Sequence, residues 1–293
     1  MFKQNMEKIL ILGASGQLGS EFKYLVDKHL NCSFIFASRD DVDISNFSQI
    51  REFIDFNNIT VIINCAAYTN VDKAENERNL TDLINYKAVK NLGNIAKNCN
   101  IKLIHISTDY VFDGKKCLPY CEFDQTFPLN HYGLSKLMGE QSLINLQVKN
   151  CVIIRTSWLY GDSGRNFVFT MLNAGMNKDS LSVVFDQIGT PTSAKDLAST
   201  ILQIIPQIHT TKPEVYHYSN EGVASWYDFT KAIMDIAKIN CQILPITSKN
   251  YPTIAMRPSY SVLDKSKIKQ DFGIVIPYWR DSLVEFIENI KEL

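Results

Sequence analysis

A tyrosine and a lysine four residues apart are the first side chains in this sequence whose spacing suggests chemistry. Tyr132 and Lys136 stand in a segment with helical patterning, so they should share one face of a helix. A tyrosine ordinarily has a pKa of about 10, and a neighbouring ammonium group should lower it. Thr108 and Asp109 follow an apolar run. We therefore expect Thr108 to hydrogen-bond a carbonyl oxygen, Tyr132 to protonate it, and Lys136 to hold Tyr132 and a cofactor ribose.

A glycine-rich turn near the N-terminus indicates a dinucleotide site. The segment Gly13–Gly19 follows the first apolar run directly and opens a helical pattern. Glycine allows a tight turn and a close approach of the backbone to a pyrophosphate, while the helix N-terminus supplies unpaired N–H groups. The spacing is G-x2-G-x2-G, which differs from the G-x-G-x2-G form. We expect the phosphates to be bound by Gly13, Ser15, Gly16, Gln17, Leu18 and Gly19.

The end of the second apolar run bears on the choice of cofactor. An acidic residue there would hold the ribose hydroxyls of NAD, but Ser38 and Arg39 occupy the place and could accommodate a 2′-phosphate. NADPH is therefore favoured. Asp40 and Asp41 are close enough to leave NADH possible. Shortly afterwards Ser45 is available as the N-cap of the next helix.

The third apolar run ends in small residues that would leave room for a cofactor. Ala66 and Ala67 are followed by Tyr68 and Thr69, and all four should lie beside the glycine turn. Ribose and phosphate groups could then pass close to them, although tight helix packing would explain the same alanines.

Alternating apolar runs and helical patterns predict an α/β fold, a Rossmann-type doubly wound parallel sheet with a smaller C-terminal substrate-binding lobe. The predicted strands are Lys8–Leu12, Ser33–Ala37, Val61–Cys65, Lys102–Ser107 and Cys151–Thr156. The predicted helices are Phe47–Phe56, Leu80–Asn98, Tyr132–Leu146, Trp226–Lys238 and Asp281–Ile290. We assign residues 1–157 to an NAD(P)-binding domain that receives return segments from later in the chain. Residues 158–293 mainly form the lobe.

Composition argues against several classes of protein. The 293 residues carry a formal charge of −1, which provides no field for binding nucleic acid. Apolar runs stay below the roughly 18 residues of a membrane span, and no signal peptide is evident. The seven cysteines are odd in number and mostly stand in apolar runs, as in cytoplasmic proteins. Cys117 and Cys121 have no second pair at zinc-like spacing, so we assign no metal ligands.

Longer motifs resemble the extended short-chain dehydrogenase/reductase family, in particular its reductases of dTDP-linked keto-deoxysugars. The resemblance covers nearly the whole chain. Its motifs are GASGQLG, NCAAYTNVDKAE, STDYVFDG, PLNHYGLSKLMGE, RTSWLYG, FDQIGTPT and RPSYSVLD. The loop Asp113–Tyr120 departs from the pattern, since it carries two lysines and a cysteine, and could indicate a related sugar.

The resemblance implies hydride transfer to C4 of dTDP-4-dehydro-6-deoxy-L-mannose, with Tyr132 as proton donor, to give dTDP-L-rhamnose. It implies Thr108, Tyr132 and Lys136 as the catalytic set and Asp109 and Trp158 as sugar-site residues. It also implies that Gly16–Leu18, Asp43, Ile44 and Ala67–Thr69 line the cofactor. Some family members bind Mg²⁺ through glutamates at a dimer contact. No equivalent cluster is identifiable here, so Mg²⁺ stays open and a homodimer is possible.

Three roles stay open on sequence alone. Trp158 could form an aromatic floor for the apolar face of the sugar, or could be a packed core residue. Arg257 could bind the substrate diphosphate, or could tie down the proline-rich loop around it. The protein could also be an epimerase or a reductase of another nucleotide-linked keto-deoxysugar, or a non-catalytic regulatory subunit similar to that of methionine adenosyltransferase. Retention of the catalytic set favours an enzyme.

Overall fold

Six parallel strands form the central sheet of the computed structural model, which describes residues 7–26 and 32–291. The strands, in chain order, are β1 (Glu7–Leu12), β2 (Cys32–Ala37), β3 (Val61–Asn64), β4 (Lys102–Thr108), β5 (Cys151–Thr156), β6 (Leu159–Tyr160), β7 (Ser180–Val184), β8 (Ile188–Gly189), β9 (Thr192–Ser193), β10 (Glu214–His217), β11 (Ala224–Ser225) and β12 (Gln242–Ile246).

The central sheet has the order β10-β5-β4-β3-β1-β2. The direction in which the sheet grows reverses between β1 and β3, which creates the crevice where open α/β sheets bind ligands. The five predicted strands are confirmed. Their ends agree to within about one residue, the usual scatter of boundary assignment. The predicted fold class is confirmed as well.

The helices, in chain order, are α1 (Gln17–Leu25), α2 (Phe47–Asn57), α3 (Val71–Ala74), α4 (Arg78–Asp82), α5 (Ala88–Cys99), α6 (His131–Leu146), α7 (Phe167–Asn177), α8 (Ala194–Ile204), α9 (Trp226–Ala237), α10 (Ser266–Phe272) and α11 (Trp279–Lys291). The single helix predicted over Leu80–Asn98 is wrong in detail, because a π-helical turn at Leu83–Lys87 separates α4 from α5. The N-cap predicted at Ser45 is also wrong. Asn46 caps α2, and its side chain accepts a hydrogen bond from the backbone N–H of Gln49.

Alternation along β1 divides the core into two layers. Ile9 and Ile11 pack on one face of the sheet with α1 and α8, whereas Leu10 and Leu12 pack on the other face with α2 and α5. This is the period of two expected for a strand that is buried on both faces. The two layers hold the carboxyl ends of the strands in fixed positions, and the site is built on those ends.

A third apolar cluster lies in the later part of the chain. It joins α7, α9 and α11 through residues such as Val168, Phe229 and Leu283, beside the parallel pair β7 and β12. The chain also returns to the central sheet, because α8 packs against α1 and β10 pairs with β5. The domain boundary at residue 157 stays a prediction. Across the described ranges, no helix is long and apolar enough to cross a membrane.

Candidate active site

A cleft of about 600 Å³ opens at the carboxyl ends of β3, β4 and β5, next to the start of α1. It brings together residues that the sequence places far apart. Of the predicted site residues, the cleft is lined by Gly16, Gln17, Leu18, Gly19, Ala67, Thr69, Thr108, Asp109, Tyr132, Lys136 and Trp158. The others, Gly13, Ser15, Arg39, Asp43, Ile44, Ala66, Tyr68 and Arg257, lie outside this lining.

Thr108, Tyr132 and Lys136 meet in the cleft because β4 and α6 lie side by side. Thr108 is the last residue of β4, while Tyr132 and Lys136 lie one turn apart in α6. Asn130 caps this helix by accepting a hydrogen bond from the N–H of Gly133, 2.8 Å away. The cap fixes where α6 begins, and so fixes the height of Tyr132 above the sheet.

The expected lowering of the Tyr132 pKa is wrong. Burial raises the pKa of Tyr132 to about 12, and the hydroxyl of Thr108 lowers it only in part. The spacing of four residues alone would allow the ammonium group of Lys136 to point at Tyr132. Its Nζ instead donates to the carbonyl oxygen of Ile106 at 2.6 Å and lies 3.5 Å from Nε2 of His105. Tyr132 therefore keeps its proton at neutral pH, which suits a proton donor.

Lys136 is the buried cation of this site, with only 2% of its surface exposed. Burial lowers the pKa of its ammonium group to about 8, and the carboxylate of Glu140 partly opposes that change. Glu140 lies one turn further along α6, so the two charges share a face of the helix. The lysine is thus close to losing its proton within the physiological pH range.

A buried ion pair supports the floor of the cleft. Arg155, on β5, donates to Glu140 from Nη2 at 2.7 Å and from Nε, which contacts both carboxylate oxygens, at 3.0 and 3.2 Å. The hydroxyl of Ser107, next to Thr108, donates to the same carboxylate. These contacts tie α6, which carries Tyr132, to β4 and β5. Neither Glu140 nor Arg155 was singled out from the sequence, since nothing in their spacing reveals the contact.

Asp109 lies next to Thr108 and is almost completely buried. Its carboxyl accepts a hydrogen bond from the Thr108 hydroxyl at 3.1 Å. Burial raises the pKa of Asp109 to about 7. A carboxyl group in this state can donate as well as accept a hydrogen bond, which suits contact with a sugar hydroxyl.

The glycine turn has the geometry that a dinucleotide phosphate requires. Gly16 is the N-cap of α1 and offers no side-chain cap, which leaves the first N–H groups of the helix open to an anion. Gly19 lies so close to the turn that a Cβ there would come within 2.2 Å of the carbonyl oxygen of Gly13. Close packing of α1 on the turn therefore depends on glycine, and the residues present fit a bound dinucleotide.

The polar residues after β2, which we expect beside the cofactor ribose, differ in how firmly their side chains are paired. Arg39 is exposed, and its Nε lies 3.8 Å from a carboxylate oxygen of Asp43. Asp41 accepts hydrogen bonds from the N–H and hydroxyl of Ser38, at 2.8 and 2.7 Å, which keeps that carboxylate occupied. Ile44 is buried in the core. Arg39 thus has only a loose ion pair within this group.

Asn85, in the π-helical turn, joins two walls of the cleft and was missed in the sequence. Its side-chain oxygen accepts from the N–H of Tyr68 at 2.8 Å, and its amide nitrogen donates to the Tyr68 carbonyl oxygen at 3.0 Å. The same nitrogen donates to Ser135 on α6, also at 3.0 Å. The loop predicted to line the cofactor is thereby held against the helix that carries Tyr132.

Arg257 is engaged within the protein. Its guanidinium group donates to both carboxylate oxygens of Asp72, at 2.8 and 2.7 Å, and to the carbonyl oxygen of Ala255. This geometry matches the loop-fixing alternative, since the fork of donors is already occupied.

Trp158 does line the cleft, and Trp226, which was not singled out from the sequence, lines it beside Trp158. Within the described residues, no cluster of three or more His, Cys, Asp or Glu could hold a metal ion.

Known proteins match this chain over nearly its full length. A family model described as the RmlD substrate binding domain matches residues 6–292. The chain belongs to the RmlD family. A dTDP-4-dehydrorhamnose reductase from Aggregatibacter actinomycetemcomitans is 42% identical over 95% of this chain and 97% of its own length.

Solved structures of similar proteins have the same fold. A dTDP-4-dehydrorhamnose reductase from Clostridium acetobutylicum is 40% identical, with a TM-score of 0.92 over 97% of this chain and 99% of its own. The enzyme from Bacillus anthracis, solved in complex with NADP, is 37% identical, with a TM-score of 0.91 over 97% and 99% of the two chains. These comparisons confirm the resemblance found in the sequence motifs.

Proposed function

We propose that this chain reduces the C4 keto group of dTDP-4-dehydro-6-deoxy-L-mannose with NADPH and produces dTDP-L-rhamnose. The observation that carries the proposal is the meeting of Thr108, Tyr132 and Lys136 in one cleft with the glycine turn. Membership of the RmlD family supports the choice of sugar nucleotide, since the relatives described above are dTDP-4-dehydrorhamnose reductases. The seven cysteines are all free thiols, which supports a cytoplasmic location.

Each residue has a defined task in this proposal. The bound nicotinamide supplies the hydride. With substrate bound, the Thr108 hydroxyl would donate to the keto oxygen instead of to Asp109, and Tyr132, which is protonated at neutral pH, would give that oxygen its proton. Lys136 would supply positive charge to the site as negative charge develops on the oxygen, and would hold the cofactor ribose. The cleft would hold the nicotinamide beside the carbonyl carbon and Tyr132 beside the carbonyl oxygen, and this positioning is the entropic contribution of the fold.

NADPH oxidation, followed by its near-ultraviolet absorbance, tests the proposal. The substrate is made in place from dTDP-glucose by the enzymes that precede this step. We expect oxidation that requires the sugar, and a loss of at least about a hundredfold in turnover for Tyr132→Phe. NADPH binding should stay nearly intact in that variant, because phenylalanine keeps the ring and removes only the hydroxyl.

Two results would reject the proposal in different ways. A wild-type protein that binds NADPH but leaves this sugar unchanged would point to another keto-deoxysugar, an epimerase, or a regulatory role. Near-normal turnover by Tyr132→Phe would leave the substrate in place and reject the assignment of the proton donor.

A further inference from the structure

Two tryptophans stack face to face in the wall of the cleft. The ring centroids of Trp158 and Trp226 are 3.5 Å apart, and the ring planes are inclined by only 7°. Both residues line the cleft. A cofacial contact at this distance covers one whole face of each indole. We call these two residues the tryptophan pair.

Gly189 covers the second face of Trp158. A Cβ at Gly189 would come within 2.7–2.8 Å of three ring atoms of Trp158, namely Cε2, Cζ2 and Nε1. Since Trp226 fills the space on its own side, Gly189 must lie on the opposite side. Phe167 packs against Trp226, with ring centroids 4.5 Å apart. Gly189 and Trp226 therefore cover the two faces of the Trp158 indole. The face that was expected to stack on the sugar is already occupied.

The tryptophan pair is held rigidly by the backbone. Trp158 adopts a left-handed conformation, with φ of 47°, which costs free energy in a bulky residue and persists only when its surroundings enforce it. Its carbonyl oxygen accepts a hydrogen bond from the N–H of Thr192 at 3.1 Å. Trp226 is the first residue of α9, directly after Ser225, which forms a capping box with Asp228. The backbone of each tryptophan is thus fixed by separate hydrogen bonds.

We propose that Trp226 is a substrate-positioning residue, and that the tryptophan pair contacts the deoxysugar through indole edges and N–H groups instead of through a ring face. This inference rests on the proposed function. The edge of an aromatic ring is electropositive and suits the oxygen atoms of a sugar. Neither indole N–H donates a hydrogen bond to another residue of the described ranges, so both donors are available to sugar oxygens.

The indole N–H resonances give a direct test that does not depend on turnover. The chain contains three tryptophans, which single Trp→Phe variants would assign. With oxidised cofactor bound, dTDP-L-rhamnose should shift the N–H resonances of Trp158 and Trp226. Trp279 is buried in the third apolar cluster, and its resonance should stay in place. Addition of dTDP alone should leave the tryptophan pair nearly unchanged, because the proposed contact is with the sugar.

Substitution of Trp226 tests its positioning role. In Trp226→Ala the KM for the keto-sugar nucleotide should rise by about tenfold, and the Kd for NADPH should change by less than about twofold. Trp226→Phe keeps a ring against Trp158 but removes the N–H, so it should give a smaller rise. It also serves if the alanine variant folds poorly. Trp279→Phe is the matched control, since it changes a tryptophan of the same lobe away from the cleft.

The variant Gly189→Ala tests the tryptophan pair on the side of Trp158 that faces away from Trp226. The added methyl group should displace the Trp158 indole and raise the KM in the same manner, without a change at Trp226. An unchanged KM in both Trp226 variants, together with immobile N–H resonances in a wild type that turns the substrate over, would reject the inference alone. A wild type that neither binds dTDP-L-rhamnose nor reduces the keto sugar would reject the proposed function and this inference together.

Discussion

At the scale of single residues, the charge on Lys136 should limit activity at alkaline pH. The lysine is protonated below a pKa of about 8, so its positive charge is present at lower pH and is lost as the pH rises. We expect kcat/KM for the keto sugar to fall above about pH 8. Lys136→Arg, which keeps its charge to much higher pH, should be slower but should lack this alkaline decline. The same decline in Lys136→Arg would show that another group titrates.

Arg39 should select the cofactor. Its exposed guanidinium group has only a loose contact with Asp43, and it can reach a 2′-phosphate without breaking a strong interaction. Arg39→Ala is therefore expected to weaken binding of NADPH more than binding of NADH, measured by titration of each cofactor. Arg51→Ala is the matched control, an exposed arginine on α2 paired with Asp55. Equal losses for the two cofactors in Arg39→Ala would remove this assignment.

At the scale of elements, the Glu140–Arg155 pair determines how α6 lies on the sheet. Glu140→Gln would leave the guanidinium group of Arg155 buried without its countercharge. Loss of one partner of a buried pair costs about 3–5 kcal/mol, so the free energy of unfolding in urea should fall by that order. Asp55→Asn breaks an exposed pair and should cost less than about 1 kcal/mol. Comparable losses in the two variants would contradict the importance of burial.

Strands and helix faces could be predicted from the sequence, because their patterns repeat every two to four residues. Contacts between distant segments could not be predicted. The apolar runs predicted the strands because each is buried on both faces, and the spacing of Tyr132 and Lys136 predicted a shared helix face. The π-helical turn at Leu83–Lys87 leaves no mark in such a pattern, because a single added residue shifts the helix face locally. Spacing also says nothing of burial, which is why the pKa of Tyr132 was predicted in the wrong direction.

Trp226 shows the same limit at the site. It begins α9 after an ordinary Ser-capped turn, and its sequence neighbours suggest only a helix. Its contact with Trp158 arises because β11 pairs with β8 and so brings the start of α9 to the cleft. The motif around Trp158 predicts a contact with the sugar, but it does not reveal that Gly189 and Trp226 enclose the indole.

At the scale of the whole molecule, the contact between Asp72 and Arg257 joins segments 185 residues apart. If Arg257 serves to hold these two segments together, Asp72→Asn and Arg257→Met should raise the KM for the sugar nucleotide by similar factors. The double variant should then add little, because both changes remove one interaction. A KM at least about tenfold higher in Arg257→Met than in Asp72→Asn would instead assign Arg257 to the substrate diphosphate.

The late return of the chain to the sheet has a consequence for biosynthesis on the ribosome. Strand β5 is buried along its whole length, yet its outer neighbour β10 is translated about 60 residues later. Until Glu214–His217 has emerged, β5 presents an apolar edge with unpaired backbone groups, the kind of surface on which nascent chains associate. Nascent chains paused before this segment should therefore engage chaperones, and those paused beyond it should be released from them.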